Sequence, residues 1–132
     1  MLTVRNVMAG KPITVSPDTP TYEAMRILVE HNITGLPVVA EDGSLQGIVT
    51  EKDMLSLLFG SHHDPGPVEG IMTREIACFD VEDELVDVCK CLEDNSFRRV
   101  PILDDGKLVG IVSRKDIITL ILTLRKQDKS SE

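Results

Sequence analysis

Aromatic side chains are scarce in this chain of 132 residues, which has no tryptophan, one tyrosine and three phenylalanines. Its hydrophobic residues, 42% of the total, are therefore mostly aliphatic, and we expect a core of valine, isoleucine and leucine. Positive charge is also limited, because 14 lysines and arginines face 22 aspartates and glutamates, for a net charge of −8. Binding to a long nucleic acid depends on neutralising many phosphates, so we expect no such partner.

Cysteine and histidine are too few and too poorly spaced for a disulfide framework or a metal centre. Cys78, Cys89 and Cys91 make an odd count confined to the second half, which is typical of reduced thiols. Cys89 is expected in the core. His62 and His63 are adjacent in a Gly/Pro-rich segment and have no partner pair, which favours a solvated loop over a metal site.

The sequence also lacks a signal peptide, a targeting presequence and an apolar run of membrane-spanning length, so we expect a cytoplasmic protein without a membrane partner. It shows no phosphate-binding glycine loop, no zinc-ligand spacing and no Ser-His-Asp order. The remaining histidine is His31. We therefore expect neither an enzyme nor a required cofactor.

What the sequence does contain is a repeat. Residues 43–53 read GSLQGIVTEKD and residues 106–116 read GKLVGIVSRKD, so seven of eleven aligned positions are identical. Each copy predicts a glycine turn, a short β-branched strand and then a helix. Upstream, VRNVM at residues 4–8 resembles VEGIM at residues 68–72, so the repeat begins well before its turn.

A hydroxyl residue stands at each predicted strand-to-helix junction, with an aspartate three positions later. These residues are Thr50 with Asp53 and Ser113 with Asp116. A junction that offers backbone N–H groups, a hydroxyl and a carboxylate can hold a polar ligand. The alternative is that the hydroxyls only cap their helices while the aspartates complement the helix dipoles. Duplication of the whole element favours the ligand.

Each half predicts the order strand, helix, strand, strand, helix, which is an α+β fold with α/β-type layers. A half of about 60 residues is marginal alone, so the two repeats should pack together. We assign residues 1–60 to the first repeat, 61–67 to a linker, 68–125 to the second repeat and 126–132 to a charged, disordered tail. The predicted elements are strands at 12–15, 31–39, 76–79 and 95–103, helices at 20–30, 51–59, 84–94 and 114–124, and a strand within each copy of the repeated stretch.

At this point the sequence resembles the cystathionine-β-synthase (CBS) domain family. The resemblance rests on Val7-Met8 before a strand, ITGLPVV at residues 33–39 and GIVTEKD at residues 47–53, each with a counterpart in the second half. From Val4 to Leu124 the chain resembles one tandem CBS pair, often called a Bateman module. The resemblance implies two pseudo-symmetric β-α-β-β-α repeats packed through their sheets, with two clefts that mix the repeats.

In many such relatives the clefts bind adenosyl ligands such as AMP, ADP, ATP or S-adenosylmethionine. The resemblance implies that the aspartates accept from ribose hydroxyls, the hydroxyl residues contact phosphate, and the first strand of each repeat holds the base. The implied nucleotide-binding residues are Ile13, Thr14, Val15, Thr34, Gly35, Pro37, Thr50 and Asp53 in the first repeat, and Ala77, Cys78, Phe79, Arg98, Arg99, Pro101, Ser113 and Asp116 in the second.

The two repeats differ just before their strand prolines, where family members often contact phosphate. The second repeat has Arg98 and Arg99 where the first has Thr34 and Gly35. Two guanidiniums suit phosphate oxygens, so the two clefts should differ in phosphate preference. The alternative is that these arginines pair with acidic residues nearby, such as Asp104 or Asp105.

The resemblance implies a stand-alone regulatory module that binds an adenosyl nucleotide and signals energy or metabolic state to an effector protein. The alternative is a structural dimerisation or scaffold module with degenerate pockets. We also expect a homodimer, because the segment 117–122 has apolar residues on more than one helical face, and relatives commonly form disc-like dimers.

Overall fold

A computed structural model describes residues 2–59, 64–95 and 98–130 and confirms the α+β class. Strands and helices are interspersed along the described chain, in two small sheets. A short 3₁₀ helix lies near the start of each repeat, at Val4–Asn6 and Val68–Gly70, and another lies at Ser56–Phe59. The elements are α1 (Thr21–Glu30), β1 (Gly35–Val39), β2 (Leu45–Thr50), α2 (Glu51–Leu55), β3 (Phe79–Asp80), α3 (Leu85–Asp94), β4 (Arg99–Asp104), β5 (Lys107–Ser113) and α4 (Arg114–Ser130).

The chain forms two compact units, each assembled from parts of both sequence repeats. The Asp53 unit contains residues 12–76 and 106–108, and the Asp116 unit contains residues up to 11, residues 77–105 and the chain from 109 onward. The segment that leads into each repeat therefore packs with the other repeat. The backbone N–H of Val4 donates to the carbonyl of Asp83 at 3.0 Å, and that of Val68 donates to Thr19 at 2.8 Å. The boundaries assigned to the repeats from the sequence stay a prediction.

In the Asp53 unit, β1 and β2 form an antiparallel hairpin. On one side of it Val15 makes a parallel bridge to Val38, and on the other side Thr73 makes an antiparallel bridge to Ile48. The first helix packs its apolar side against this layer, because Ala24 and Leu28 recur at helical spacing and are buried. The buried cluster of this unit consists of Val15, Ala24, Leu28, Leu36, Val38, Val49, Val68 and Met72.

The Asp116 unit repeats this arrangement. Its sheet has the order β3-β4-β5, with β3 parallel to β4, and Ala9 bridges Ile111 on the far side. The turn between β4 and β5 is Asp105-Gly106, both with positive φ, one residue shorter than the turn at 41–43 in the Asp53 unit, as the sequence predicted. The buried cluster of this unit consists of Val4, Val81, Leu85, Val88, Leu92, Val100, Ile102, Val112 and Ile117.

Residues 2–11 and 64–76, called the lead segments here, each pack with the other repeat. Their close approach to the hairpins explains one glycine in each copy of the repeated stretch. A Cβ placed on Gly47 would lie 2.7 Å from Met72 Sδ and 2.8 Å from the carbonyl oxygen of Thr73. A Cβ placed on Gly110 would lie 2.7 Å from the carbonyl oxygen of Ala9. Neither position has a positive φ, so these glycines are required by close backbone approach rather than by backbone conformation.

Several predicted boundaries need correction. The proline-bearing strands begin only at Gly35 and Arg99, because the residues that follow each preceding helix still donate to its last turn. Residues 12–14 and 76–78 are not strand, because here the chain passes from one unit to the other and pairs only once it runs beside β1 or β4. The helix predicted for 51–59 is α-helical only to Leu55 and continues as a 3₁₀ turn. The last helix runs to Ser130, so residues 126–130 are helical rather than a disordered tail.

Candidate functional site

The junction between β2 and α2 is closed by reciprocal hydrogen bonds between Thr50 and Asp53. The Asp53 N–H donates to Thr50 Oγ1 at 3.3 Å, and Asp53 Oδ2 accepts from the Thr50 N–H at 2.8 Å and from the Thr50 hydroxyl at 3.0 Å. This is a capping box, as a hydroxyl and an acid at this spacing predict. The second carboxylate oxygen of Asp53 accepts from the Thr73 hydroxyl at 3.1 Å.

The junction between β5 and α4 repeats the cap with fewer hydrogen bonds. Asp116 Oδ2 accepts from the Ser113 N–H at 2.8 Å, and the Asp116 N–H donates to Ser113 Oγ at 3.1 Å. Within the described ranges, no hydrogen bond is made by Asp116 Oδ1 or donated by the Ser113 hydroxyl. Both side chains are half-buried, so they remain accessible to a ligand. The capping role and a ligand-binding role are therefore compatible at this junction.

Arg98 lies against the second junction through its backbone, since its carbonyl accepts from the Arg114 N–H at 3.0 Å. The corresponding contact in the other unit joins the carbonyl of Thr34 to the Glu51 N–H, also at 3.0 Å. The side chains of Arg98 and Arg99 are exposed, and in the described part of the chain neither forms an ion pair. The alternative pairing with Asp104 or Asp105 is thus not formed there.

The strand residues predicted to hold the base lie beside the proline-bearing strands. The Val15 N–H donates to the carbonyl of Pro37 at 3.0 Å, and Phe79 pairs with Ile102 in the other unit. Val15 and Phe79 contribute to the buried clusters, whereas Ile13 is 41% exposed and Cys78 is exposed. Thr14 and Ala77 are half-buried, and Pro37 and Pro101 are buried.

The predicted binding residues of each repeat all lie in one compact unit. Ile13, Thr14, Val15, Thr34, Gly35, Pro37, Thr50 and Asp53 all lie in the Asp53 unit. Ala77, Cys78, Phe79, Arg98, Arg99, Pro101, Ser113 and Asp116 all lie in the Asp116 unit. Direct contact is shown for part of each set. In the Asp53 unit Gly35 lies opposite Thr50 and Thr50 contacts Asp53, and in the Asp116 unit Ser113 contacts Asp116. The role of each residue in binding stays a prediction.

A cavity of about 620 Å³ lies at the end of β1 away from Thr50. Thr14 and Val15 line it together with three acidic residues, Asp18, Glu41 and Glu69. Carboxylates repel phosphate, so this cavity is unsuited to the phosphate end of a nucleotide. The polar groups that could hold a nucleotide are at the opposite end of β1.

Thr73 contacts a candidate site residue, and the sequence analysis missed it. It belongs to the lead segment of the second repeat, yet its hydroxyl contacts Asp53, twenty residues earlier. Its counterpart in the first repeat is Ala9, which bridges Ile111 through its backbone but has no hydroxyl. Aligning MA at residues 8–9 with MT at residues 72–73 would have shown this difference, although not its partner.

The cysteines are free thiols. Cys89 packs against the core of the Asp116 unit, as expected, and burial raises the pKa of its thiol. Cys78 is exposed. Over the residues that the structure describes, no group of three potential metal ligands is present. His62 and His63 lie outside those residues, so the solvated loop expected there stays a prediction.

Comparison with known proteins identifies the family. The CBS domain model matches the chain twice, at residues 4–60 and 68–123. The chain therefore belongs to the CBS domain family and contains a tandem CBS pair, as the repeat and the two-unit fold indicate.

Three similar proteins illustrate the range of relatives. CBS domain-containing protein YhcV of Bacillus subtilis is 32% identical over 118 residues, which are 89% of this chain and 84% of that protein. Other curated relatives are longer, and the chain spans 42% and 21% of the length of two proteins from Methanocaldococcus jannaschii that it matches.

The other two are solved structures. CBSX2 of Arabidopsis thaliana in complex with AMP superposes with a TM-score of 0.85 at 30% identity, covering 95% of this chain and 99% of that one. The CBS domain pair of protein MJ0100, in complex with 5′-methylthioadenosine and S-adenosyl-L-methionine, has a TM-score of 0.75 at 32% identity and covers 92% and 96%. Both relatives thus carry adenosyl ligands. As for membranes, no helix in the described ranges has the length and apolar character to span one.

Proposed function

We propose that this chain is a regulatory CBS pair that binds an adenosyl nucleotide, AMP, ADP, ATP or S-adenosylmethionine, and transmits its occupancy to an effector protein. The observation that carries the proposal is the Asp116 junction, where a half-buried carboxylate and hydroxyl lie at one strand-to-helix connection and the carbonyl of Arg98 accepts from the Arg114 N–H. Within the described residues the Arg98 side chain is exposed and forms no ion pair. Relatives that carry AMP and S-adenosyl-L-methionine support the ligand class.

Each group at this junction would have a distinct role. Asp116 would accept hydrogen bonds from ribose hydroxyls, which are neutral donors that suit a carboxylate. Ser113 and Arg98 would contact phosphate, since a guanidinium offers several donors in a plane that matches phosphate oxygens. The base would lie beside the segment 77–79, where Ala77 is half-buried and Phe79 supplies apolar surface.

Signalling rather than catalysis is proposed because the matched residues are CBS regions. The scaffold alternative keeps one supporting observation: in both units the hydroxyl and the aspartate cap a helix, a role they would serve without any ligand. A homodimer and a cytoplasmic location are part of the proposal, and the exposed apolar side chains of α4 support the homodimer.

Isothermal titration calorimetry with AMP, ADP, ATP, S-adenosylmethionine and adenosine tests the proposal, together with melting temperatures at millimolar ligand. A ligand that binds only the folded chain should raise the melting temperature by mass action. Absence of both heat and thermal shift for every adenosyl ligand would refute the binding proposal and favour the scaffold alternative.

A matched pair of variants separates binding from capping. Asp116→Asn retains an oxygen that accepts from the Ser113 N–H, so the cap and the stability should persist, while the charged acceptor is lost. We expect the binding free energy to weaken by about 1.5–3 kcal/mol, the scale of a hydrogen bond to a charged group. Asp116→Ala removes both functions and should cost about 0.5–1.5 kcal/mol of stability in addition, the scale of the lost hydrogen bond from the Ser113 N–H. If Asp116→Asn binds like the parent chain, Asp116 is only a capping residue.

A further inference from the structure

The two aspartates of the proposed site differ in how many hydrogen bonds they already accept. Asp53 accepts three, from the Thr50 N–H, the Thr50 hydroxyl and the Thr73 hydroxyl. Asp116 accepts one from the described residues, from the Ser113 N–H. A carboxylate offers about four lone-pair positions over its two oxygens. Asp53 therefore has about one position left and Asp116 about three.

Ribose recognition by a single carboxylate needs two of these positions, because the 2′ and 3′ hydroxyls donate side by side. Asp116 can accept both without losing an existing hydrogen bond. Asp53 can accept both only if the hydroxyl of Thr73 or Thr50 moves away. Displacing a hydroxyl from a charged acceptor forfeits an interaction of the same kind that the ribose would form, so the net gain at Asp53 is small.

The difference arises in the lead segments. Thr73 and Ala9 occupy matching places, since each makes an antiparallel backbone bridge to the second hairpin strand of its unit. Only Thr73 carries a hydroxyl, and this hydroxyl donates to Asp53 Oδ1, the carboxylate oxygen that Thr50 does not contact.

We infer that the Asp116 junction is the high-affinity ribose site, and that Thr73 is the specificity-determining residue that keeps Asp53 closed to a ribose diol. The inference rests on the proposed function and refines it, since it concerns which of the two junctions takes a ribose-bearing ligand first. Because Ala9 has no hydroxyl, it leaves the acceptor positions of Asp116 available to the ribose. The presence or absence of one hydroxyl, at position 73 or 9, would then determine which junction binds AMP more tightly.

Reciprocal substitutions in the full chain test this ranking. Thr73→Val removes the hydroxyl while keeping shape and strand propensity, Thr73→Ser retains the hydroxyl as a matched control, and Ala9→Thr introduces one beside Asp116. The measurement is titration of ¹⁵N-labelled protein with AMP, with the amide signals of Asp53 and Asp116 followed separately. Titration with 2′,3′-dideoxyadenosine monophosphate, which lacks both ribose hydroxyls, serves as the ligand control.

In the parent chain the Asp116 signal should saturate at an AMP concentration at least about tenfold lower than the Asp53 signal. Thr73→Val should improve AMP affinity at Asp53 about tenfold, Thr73→Ser should leave it unchanged, and Ala9→Thr should weaken AMP binding at Asp116 by a similar factor. None of these shifts should occur with the dideoxy ligand, whereas a merely structural role of Thr73 would alter both ligands alike.

Equal AMP affinities at the Asp53 and Asp116 junctions would overturn the inference, as would a Thr73→Val chain that binds AMP like its parent. Either result would leave the proposed nucleotide binding standing. A change of equal size with the dideoxy ligand would also overturn the inference. Absence of any AMP-dependent shift at either signal would instead refute the proposed function, and the inference with it.

Discussion

Replacing Gly47 by alanine should destabilise the protein because it forces the lead segment of the second repeat away from the hairpin. The added Cβ would lie 2.7 Å from Met72 Sδ and 2.8 Å from the carbonyl oxygen of Thr73. The methionine side chain can move, but the carbonyl is backbone and cannot yield alone. It accepts from the Ile48 N–H at 2.9 Å, and the Thr73 N–H donates back to Ile48 at 2.8 Å.

The magnitude follows from these contacts. Overpacking of this kind costs about 1–3 kcal/mol. Weakening of the two backbone hydrogen bonds adds up to about 1 kcal/mol each. The lower entropy of an unfolded chain with alanine offsets about 0.4–1 kcal/mol. At their middle values these contributions give an expected net loss of about 2 kcal/mol in the free energy of unfolding.

Urea unfolding followed by far-ultraviolet circular dichroism is the suitable assay, since the chain has no tryptophan to report by fluorescence. Gly10→Ala is the matched control, because a Cβ there would meet nothing within 4 Å and the position has no positive φ. It should be neutral or slightly stabilising. Gly110→Ala should resemble Gly47→Ala, since its Cβ would lie 2.7 Å from the Ala9 carbonyl oxygen. Equal unfolding midpoints for Gly47→Ala and Gly10→Ala would refute the close-approach argument.

Three further predictions concern the surface and the proposed site. Arg98→Ala should reduce the preference for AMP over adenosine at the Asp116 junction by about tenfold at low salt, and by less at high salt. Calorimetry measures this preference, with Arg26→Ala as a charge-matched control, and an unchanged preference would contradict the prediction. Iodoacetamide should alkylate Cys78 faster than Cys89, because Cys78 is exposed and burial raises the pKa of Cys89. AMP should slow the alkylation of Cys78 only, as measured by peptide mass spectrometry. Protection of neither thiol would count against a ligand at the segment 77–79. Exposed apolar side chains of α4 predict self-association, and they are Ile118, Ile121, Leu122 and Leu124. A mass of one chain in light scattering at micromolar concentration would reject this prediction.

Features with local causes could be predicted from the sequence alone. The helix at 21–30 follows from apolar residues at helical spacing after Pro20, which proves to be its N-cap. The hairpin turn at Asp105-Gly106 follows from a dipeptide that tolerates positive φ. The cap formed by Thr50 and Asp53 follows from the spacing of a hydroxyl and an acid. In each case the residues that form the contact are at most a few positions apart, so their order along the chain determines whether they can meet.

Features that depend on which segment meets which surface were decided only by the tertiary structure. The repeats were visible in the sequence and the resemblance implied that they mix, but the sequence did not show which segments exchange: residues 2–11 pack with the second repeat and residues 64–76 with the first. The two repeats present similar surfaces, so local pattern does not distinguish packing within a repeat from packing across the pair. The exchange leaves residues 12–14 and 76–78 outside the strands and brings Thr73 to Asp53. A hydrogen bond between side chains twenty residues apart depends on the path of the chain between them, which no spacing rule encodes.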